Sequence, residues 1–231
     1  MHTLVIRLTG PMQAWGVQSR FTVRDTLMEP SKSGVVGLLC SALGRPRDAD
    51  ISDLAALEMG VRVDVEGRLE YDFHTAGREG FLRASGAVER KQVIPSERYY
   101  LAGAWFTVGL GGDYTLLSEL EDRLQNPKWL PALGRKAFPP GLPVYIPGGL
   151  RSGAPAEVLP TFEDPWWQQG YGNYSQPSRR LVLEGETAGP EGWELVARPT
   201  RPDQPLSFAP RRFGLRQVSV YMYQPTLEDV Q

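Results

Sequence analysis

A β-branched, apolar run, Thr3–Leu8 (TLVIRL), is stopped by Gly10-Pro11, and a small-apolar stretch with helical spacing, Ser33–Leu43, follows it. An interior strand, a Gly-Pro break and a helix closed by Gly44 commit the first quarter of the chain to a helix folded back over a sheet. The pattern then recurs. Tyr99–Leu110 (YYLAGAWFTVGL) is the strongest strand signal in the chain. After it, Leu116, Leu117, Leu120 and Leu124 share one helical face that Asn126-Pro127 ends. Between the two units, ISDLAALEMG predicts a short helix. In VRVDVEGRLEYDFHT the alternation of Val61, Val63 and Val65 and the Glu66-Gly67 turn predict a hairpin. The order is β-α-β(β)-hairpin-β-α, the outline of an α+β, ferredoxin-like or RRM-like sandwich with an insertion.

Residues 76–98, rich in Gly, Arg and Ser, predict a protruding loop or β-hairpin. Prolines keep 127–143 irregular. From about residue 150 the chain predicts a smaller, loop-rich, mostly β part with strands at RRLVLEG, GWELVAR and LRQVSVYMY. The expected division is therefore 1–146 and 147–231. Hydrophobic residues make up 41% of the 231, which supports a packed core. No apolar run reaches the roughly 20 residues of a membrane span, and MHTLVIRLTG lacks a signal-peptide pattern, so a cytoplasmic protein is expected. One cysteine, Cys40, excludes an internal disulfide and is expected as a buried helical thiol. Two histidines, His2 and His74, leave little for a metal cage, and no metal or cofactor is expected.

The net charge of −2 hides an uneven distribution. Residues 1–47 carry six Lys/Arg (Arg7, Arg20, Arg24, Lys32, Arg45, Arg47) against two acids, Asp25 and Glu29. Residues 123–151 carry five with no acid, and residues 48–72 carry eight acids against two arginines. A basic face and an acidic face are one reading; charges spread evenly over the folded surface are the other.

Three stretches could carry chemistry. In PSKSGVVGLL the helix N-terminus, capped by Ser31 or Ser33, offers free N–H groups beside Lys32, with Gly34 and Gly37 leaving room for a ligand. It is neither a Walker P-loop nor a dinucleotide fingerprint, and an ordinary capped helix is the plain alternative. ERKQVIPSERYY interleaves Arg90, Lys91 and Arg98 with Tyr99 and Tyr100, which suits single-stranded nucleic acid; solvated charges on a strand are the alternative. LGRKAF places Gly134, Arg135 and Lys136 in an acid-free region as a phosphate clamp. Trp166, Trp167, Tyr171 and Tyr174 could stack bases or meet a partner protein. Catalysis has weak support: His74 is the one internal histidine, and neither paired carboxylates nor a G-x-S-x-G elbow occur.

Together, LVIRLTGPMQAWG and EPSKSGVVGLLCSALGRPRD resemble the opening of the CasD family, the Cas-five-type subunits of the type I-E CRISPR Cascade complex. DFHTAG, SERYYLAGAWFTVGL, ELEDRLQNPKWLPALGRKAFPPGLPVY and, more loosely, APRRFGLRQVSVY extend the likeness over most of residues 1–146. The resemblance implies a modified RRM-like domain with an arched hairpin thumb at about 72–98. It further implies a non-catalytic subunit that caps the complex and grips the 5′ handle of the CRISPR RNA. The implied neighbours are the backbone subunit CasC and the large subunit CasA, with target DNA met indirectly. The residues it implies for RNA are Gln13, Trp15, Arg20, Arg24, Ser31, Lys32, Ser33, Gly34, His74, Arg90, Lys91, Arg98, Tyr99, Gly134, Arg135 and Lys136. The competing expectation is a metal-independent endoribonuclease using His74, Lys91 and Tyr99 or Tyr100. The RRM aromatic signature is absent, so RNA laid across the open sheet is not expected.

Overall fold

The computed structural model of the chain describes residues 1–17, 22–77, 79–83, 85–90, 92–166 and 180–223. In chain order these form β1 (His2–Thr9), β2 (Met12–Gln13), β3 (Val23–Arg24), α1 (Lys32–Leu43), α2 (Ser52–Ala55), β4 (Glu58–Val65), β5 (Arg68–Ala76), β6 (Phe81–Leu82) and β7 (Val88–Glu89). There follow β8 (Ile94–Ala102), β9 (Trp105–Gly112), α3 (Tyr114–Gln125), β10 (Tyr145–Ser152), α4 (Pro155–Val158), β11 (Arg180–Glu184), β12 (Trp193–Ala197), β13 (Thr200–Phe208) and β14 (Arg211–Tyr223). The fold is mixed α and β, mostly antiparallel sheet with few helices.

The main sheet runs β10-β1-β9-β4-β11-β14-β12, with β13 also on β14. Strand alternation sends side chains to two cores. Leu4, Ile6 and Leu8 of β1 join Val108, Leu110 and the buried faces of α1 and α3, whereas Val5 joins Ile146, Leu159, Leu181 and Tyr221 on the opposite side. Each main helix is bounded by local chemistry. Ser31 caps α1 by accepting the Gly34 N–H at 3.3 Å, and Gly44 ends it in the left-handed region at φ 73°. Asp113 caps α3 through the N–H groups of Thr115 and Leu116 at 2.9 and 3.3 Å. Cys40 lies buried in α1, and burial pushes its thiol pKa up.

Three expectations change. The boundary at 146–147 separates no sheets: β10 pairs with β1 at one edge, and β11, β14 and β12 continue the same sheet beyond β4. Glu66-Gly67, expected as a hairpin turn, does not reverse the chain: β4 faces β9 as far as Val65↔Trp105, β5 runs on against β8 from Arg68↔Ala102, and β4 and β5 do not pair. β4 is buried between β9 and β11, whereas every residue of β5 is exposed and the strand pairs with β8 in a second sheet. A Glu-Gly pair permits a bend, and burial decides whether the chain reverses there. The β5–β8 ladder runs from Arg68↔Ala102 to Ala76↔Ile94, beyond the expected 72–98. It is rooted by β2 and, in parallel, by β3. Strand β13 was not foreseen because Pro202 and Pro205 interrupt it; both fall at register shifts on a strand paired with β14 alone.

Candidate nucleic-acid interface

The open helix end is closed by the chain itself. Asp203 of β13 accepts the backbone N–H of Lys32 at 2.8 Å, and its oxygens also take Nε and Nη2 of Arg216 at 2.9 and 2.8 Å. Lys32 Nζ donates to both oxygens of Glu184, at 2.7 and 3.0 Å. Two cations and two carboxylates neutralise one another, and the partial positive charge of the helix is met by Asp203. Lys32 is 3% exposed; burial lowers its pKa, and the Glu184 carboxylate opposes that shift. The expectation that Ser31, Lys32, Ser33 and Gly34 face a ligand is corrected here. Ser31 and Lys32 are buried and Ser33 half-buried. Gly34 makes room for protein, since a Cβ there would stand 2.8 Å from the Trp15 ring.

Gln13 is corrected for the same reason, and Trp15, for which the sequence allows lining the groove and packing beneath it equally, packs beneath. Gln13 Nε2 donates to the carbonyls of Leu8 and Ala104 at 3.2 and 2.8 Å, and Trp15 Nε1 donates to Gln13 Oε1 at 3.2 Å. Both side chains are buried and satisfied, so they shape the turn from beneath. Segment charge also misled. Arg7 is fully buried on Asp164 between the rings of Trp105 and Trp166, and Arg45 is tied to Asp53 at 2.6 Å.

The second sheet tells a different story. Arg24 of β3 stands beside Arg98 of β8 in parallel register, and Asp72 of β5 is opposite Arg98 on the other flank. Register partners share a face. Arg135 reaches the same place from the 133–138 loop: its Nη2 donates to the Arg24 carbonyl at 3.2 Å, and its guanidinium lies 5.6 Å from the Phe138 ring. Partial burial lowers the Arg135 pKa most, followed by repulsion from Arg98 and then Arg24. Asp25 and Asp72 offset this only in part. Three like charges held together on an accessible face are what an anionic polymer neutralises. Lys136, next in sequence to Arg135, is exposed.

Gly134 sets the position of Arg135. Its φ is +86°, and a Cβ would lie 1.7 Å from the carbonyl oxygen of Ala14, so no side chain fits. The Ala14 N–H donates to the Leu133 carbonyl at 3.1 Å, the Leu133 N–H to Phe138 at 2.8 Å, and Gly141 to Thr9 at 2.8 Å. The GPMQAWG and LGRKAF stretches, far apart in sequence, are thus docked backbone to backbone under the arginines.

The comparisons with known proteins agree with this architecture. The family described as CRISPR-associated protein (Cas_Cas5) matches residues 3–219. This chain belongs to the Cas5 family. The CRISPR system Cascade subunit CasD of Escherichia coli (strain K12) is 31% identical over 231 residues, covering 93% of each chain. A crystal structure of a Cas protein is 40% identical with a TM-score of 0.69, over 96% of this chain and 95% of that one. A chain of a CRISPR RNA-guided surveillance complex is 30% identical with a TM-score of 0.72, over 97% and 91%.

The other expected residues of this Cas5-family chain scatter. His74 is exposed on β5, on the Arg98 face, with Nε2 hydrogen-bonded to Asp72. Tyr99 is register-paired with Tyr71, their rings 5.9 Å apart, on the opposite face. Tyr100 shares the His74 face and packs on Phe138 at 5.9 Å. Arg90 is exposed after β7, past the far end of the β5–β8 ladder. Trp166 lies against Arg7. Arg20, Lys91, Trp167, Tyr171 and Tyr174 fall outside the described residues. Among the described residues no group of three or more His, Cys, Asp or Glu could hold a metal, and no helix is long and apolar enough to cross a membrane. Sequence reasoning missed Asp203, Glu184 and Arg216, whose link to α1 has no local signal. It also passed over Asp72, for which the Asp-x-His spacing on one strand face was a signal.

Proposed function

We propose that this chain is an RNA-binding subunit of a Cascade-type CRISPR surveillance complex, holding the 5′ handle of the CRISPR RNA and capping one end of the backbone. The observation that carries the reading is the convergence of Arg24, Arg98 and Arg135 on one face of the second sheet. The family membership and the names of the relatives support the assembly. In this reading the β10-β1-β9-β4 order, with α1 and α3 packed against it, is the RRM-like βαββαβ core, whose last strand carries it past the expected 1–146 to Ser152. The β5–β8 ribbon is its thumb. CasC-type and CasA-type subunits are the protein neighbours, target DNA is met only indirectly, and the protein works in the cytoplasm.

The chain acts as a binder. The competing nuclease would need a tyrosine on the His74 face: the β5–β8 register points Tyr99 to the opposite face, and Tyr100, on the same face, packs its ring on Phe138. The test is filter binding of repeat-derived RNA by wild type and by an Arg24→Ala, Arg98→Ala, Arg135→Ala variant, with the RNA recovered after incubation in EDTA. The reading expects weakened binding in the variant and intact RNA with both proteins. Equal affinities, or a discrete cleavage product lost in His74→Ala, would contradict it.

A further inference from the structure

Asp72 is out of place in a pure phosphate cradle. It lies on the arginine face, opposite Arg98, where its charge repels the phosphates those arginines attract. It does not serve Arg98 as an ion-pair partner: Arg98 Nε donates to Ser96 Oγ at 3.3 Å, and the Asp72 carboxylate is hydrogen-bonded through Oδ2 to His74 Nε2. The two side chains remain 54% and 44% exposed, which leaves Oδ1 of Asp72 and Nδ1 of His74 for another partner. A carboxylate with a free oxygen is an acceptor only, so its partner must bring an N–H or O–H. In single-stranded RNA the 2′-hydroxyl is such a donor but is the same on every nucleotide, whereas the N–H donors are on base edges, which splay out from a backbone held by its phosphates.

We propose that the Asp72–His74 pair reads one base of the RNA whose backbone the neighbouring arginines hold, with the carboxylate accepting from an exocyclic amine. The base is therefore guanine, adenine or cytosine, because uracil has no exocyclic amine. His74 anchors the carboxylate from one side, and the β5–β8 register sets Asp72 opposite Arg98 and His74 two residues further along the same face. The inference rests on the proposed RNA-binding function, and the test separates the two.

The experiment uses the full chain and a synthetic repeat-derived RNA in which each nucleotide in turn is replaced by uridine, or made abasic where uridine is native. Filter binding is measured for wild type, Asp72→Ala and His74→Ala. For wild type, the inference expects one amine-bearing position at which uridine weakens binding about tenfold, the scale of one hydrogen bond to a charged group. In Asp72→Ala that penalty disappears and the unmodified RNA binds more weakly; in His74→Ala the penalty shrinks. If Asp72→Ala instead binds every RNA more tightly by the same factor, the carboxylate only repels phosphate and the inference is overturned. A wild-type scan without a uridine-sensitive position overturns it equally. Full affinity in Arg98→Ala and Arg135→Ala would overturn the RNA-binding reading itself, whatever the Asp72 variants do.

Discussion

Asp203 accepts the backbone N–H of Lys32 at 2.8 Å although 171 positions separate them in sequence. The first turn of α1 therefore has its anion already, supplied by the last third of the chain. The same carboxylate holds Arg216, so one residue joins α1, β13 and β14.

Removing it strands a buried guanidinium and a helix amide together. Asp203→Ala is expected to cost about 3 kcal/mol or more in urea unfolding, the scale of breaking a buried ion pair from one side. Lys32→Met is expected to lower stability as well, while leaving the salt dependence of RNA binding unchanged, because the ammonium faces Glu184. A changed salt dependence would return Lys32 to the RNA contacts.

Gly134 offers a separate test of the loop under the arginines. Gly134→Ala places a methyl against the Ala14 carbonyl at a positive φ. It is expected to destabilise by more than about 1 kcal/mol and to weaken RNA binding by displacing Arg135. A Gly134→Ala protein with unchanged melting and unchanged affinity would show that the loop does not set the arginine.

Asp64 gives a pH signature. It is buried between Thr107 Oγ1 at 2.6 Å and Arg62 Nε at 2.7 Å. Burial raises its pKa above 3.8, and the Arg62 charge offsets this only in part. A raised carboxyl pKa means that the folded state holds the proton longer than the unfolded chain does. The stability this group contributes is full below the unfolded value and falls as pH rises through the folded one. The stability of wild type relative to Asp64→Asn is therefore expected to decline from pH 4 upward in urea titrations. A difference that is flat or rises with pH would contradict the assignment.

The elements legible in the sequence were those whose signal is local. Thr3–Leu8, the α1 helix between Ser31 and Gly44 and the leucine face of α3 all combine a clear period with a cap or breaker, whereas Tyr99–Leu110, expected as one strand, is broken at Gly103 into β8 and β9, which join different sheets. What was not legible depends on distant partners. The Glu66-Gly67 signal is local, but it marks a bend through which β4 runs on into β5, and nothing in those residues says that β5 pairs with β8. The candidate site divided along the same line. Arg24, Arg98, Gly134 and Arg135 were identifiable as cations and a flexible glycine, and the fold brings them together. Lys32 looked equally available, and only Glu184 and Asp203, more than 150 positions away, remove it. Gln13 and Trp15 looked like groove residues because a polar and an aromatic side chain after a Gly-Pro turn give no sign of satisfying each other.

The central claim is that Arg24, Arg98 and Arg135 neutralise RNA phosphates. Its most direct test is the slope of log affinity against log salt for repeat-derived RNA, in wild type and in the triple alanine variant. Each lost phosphate contact on a single strand reduces the slope by about 0.7. The account predicts a slope shallower by three such steps, roughly 2.1, in the variant. An identical slope in both proteins would contradict it.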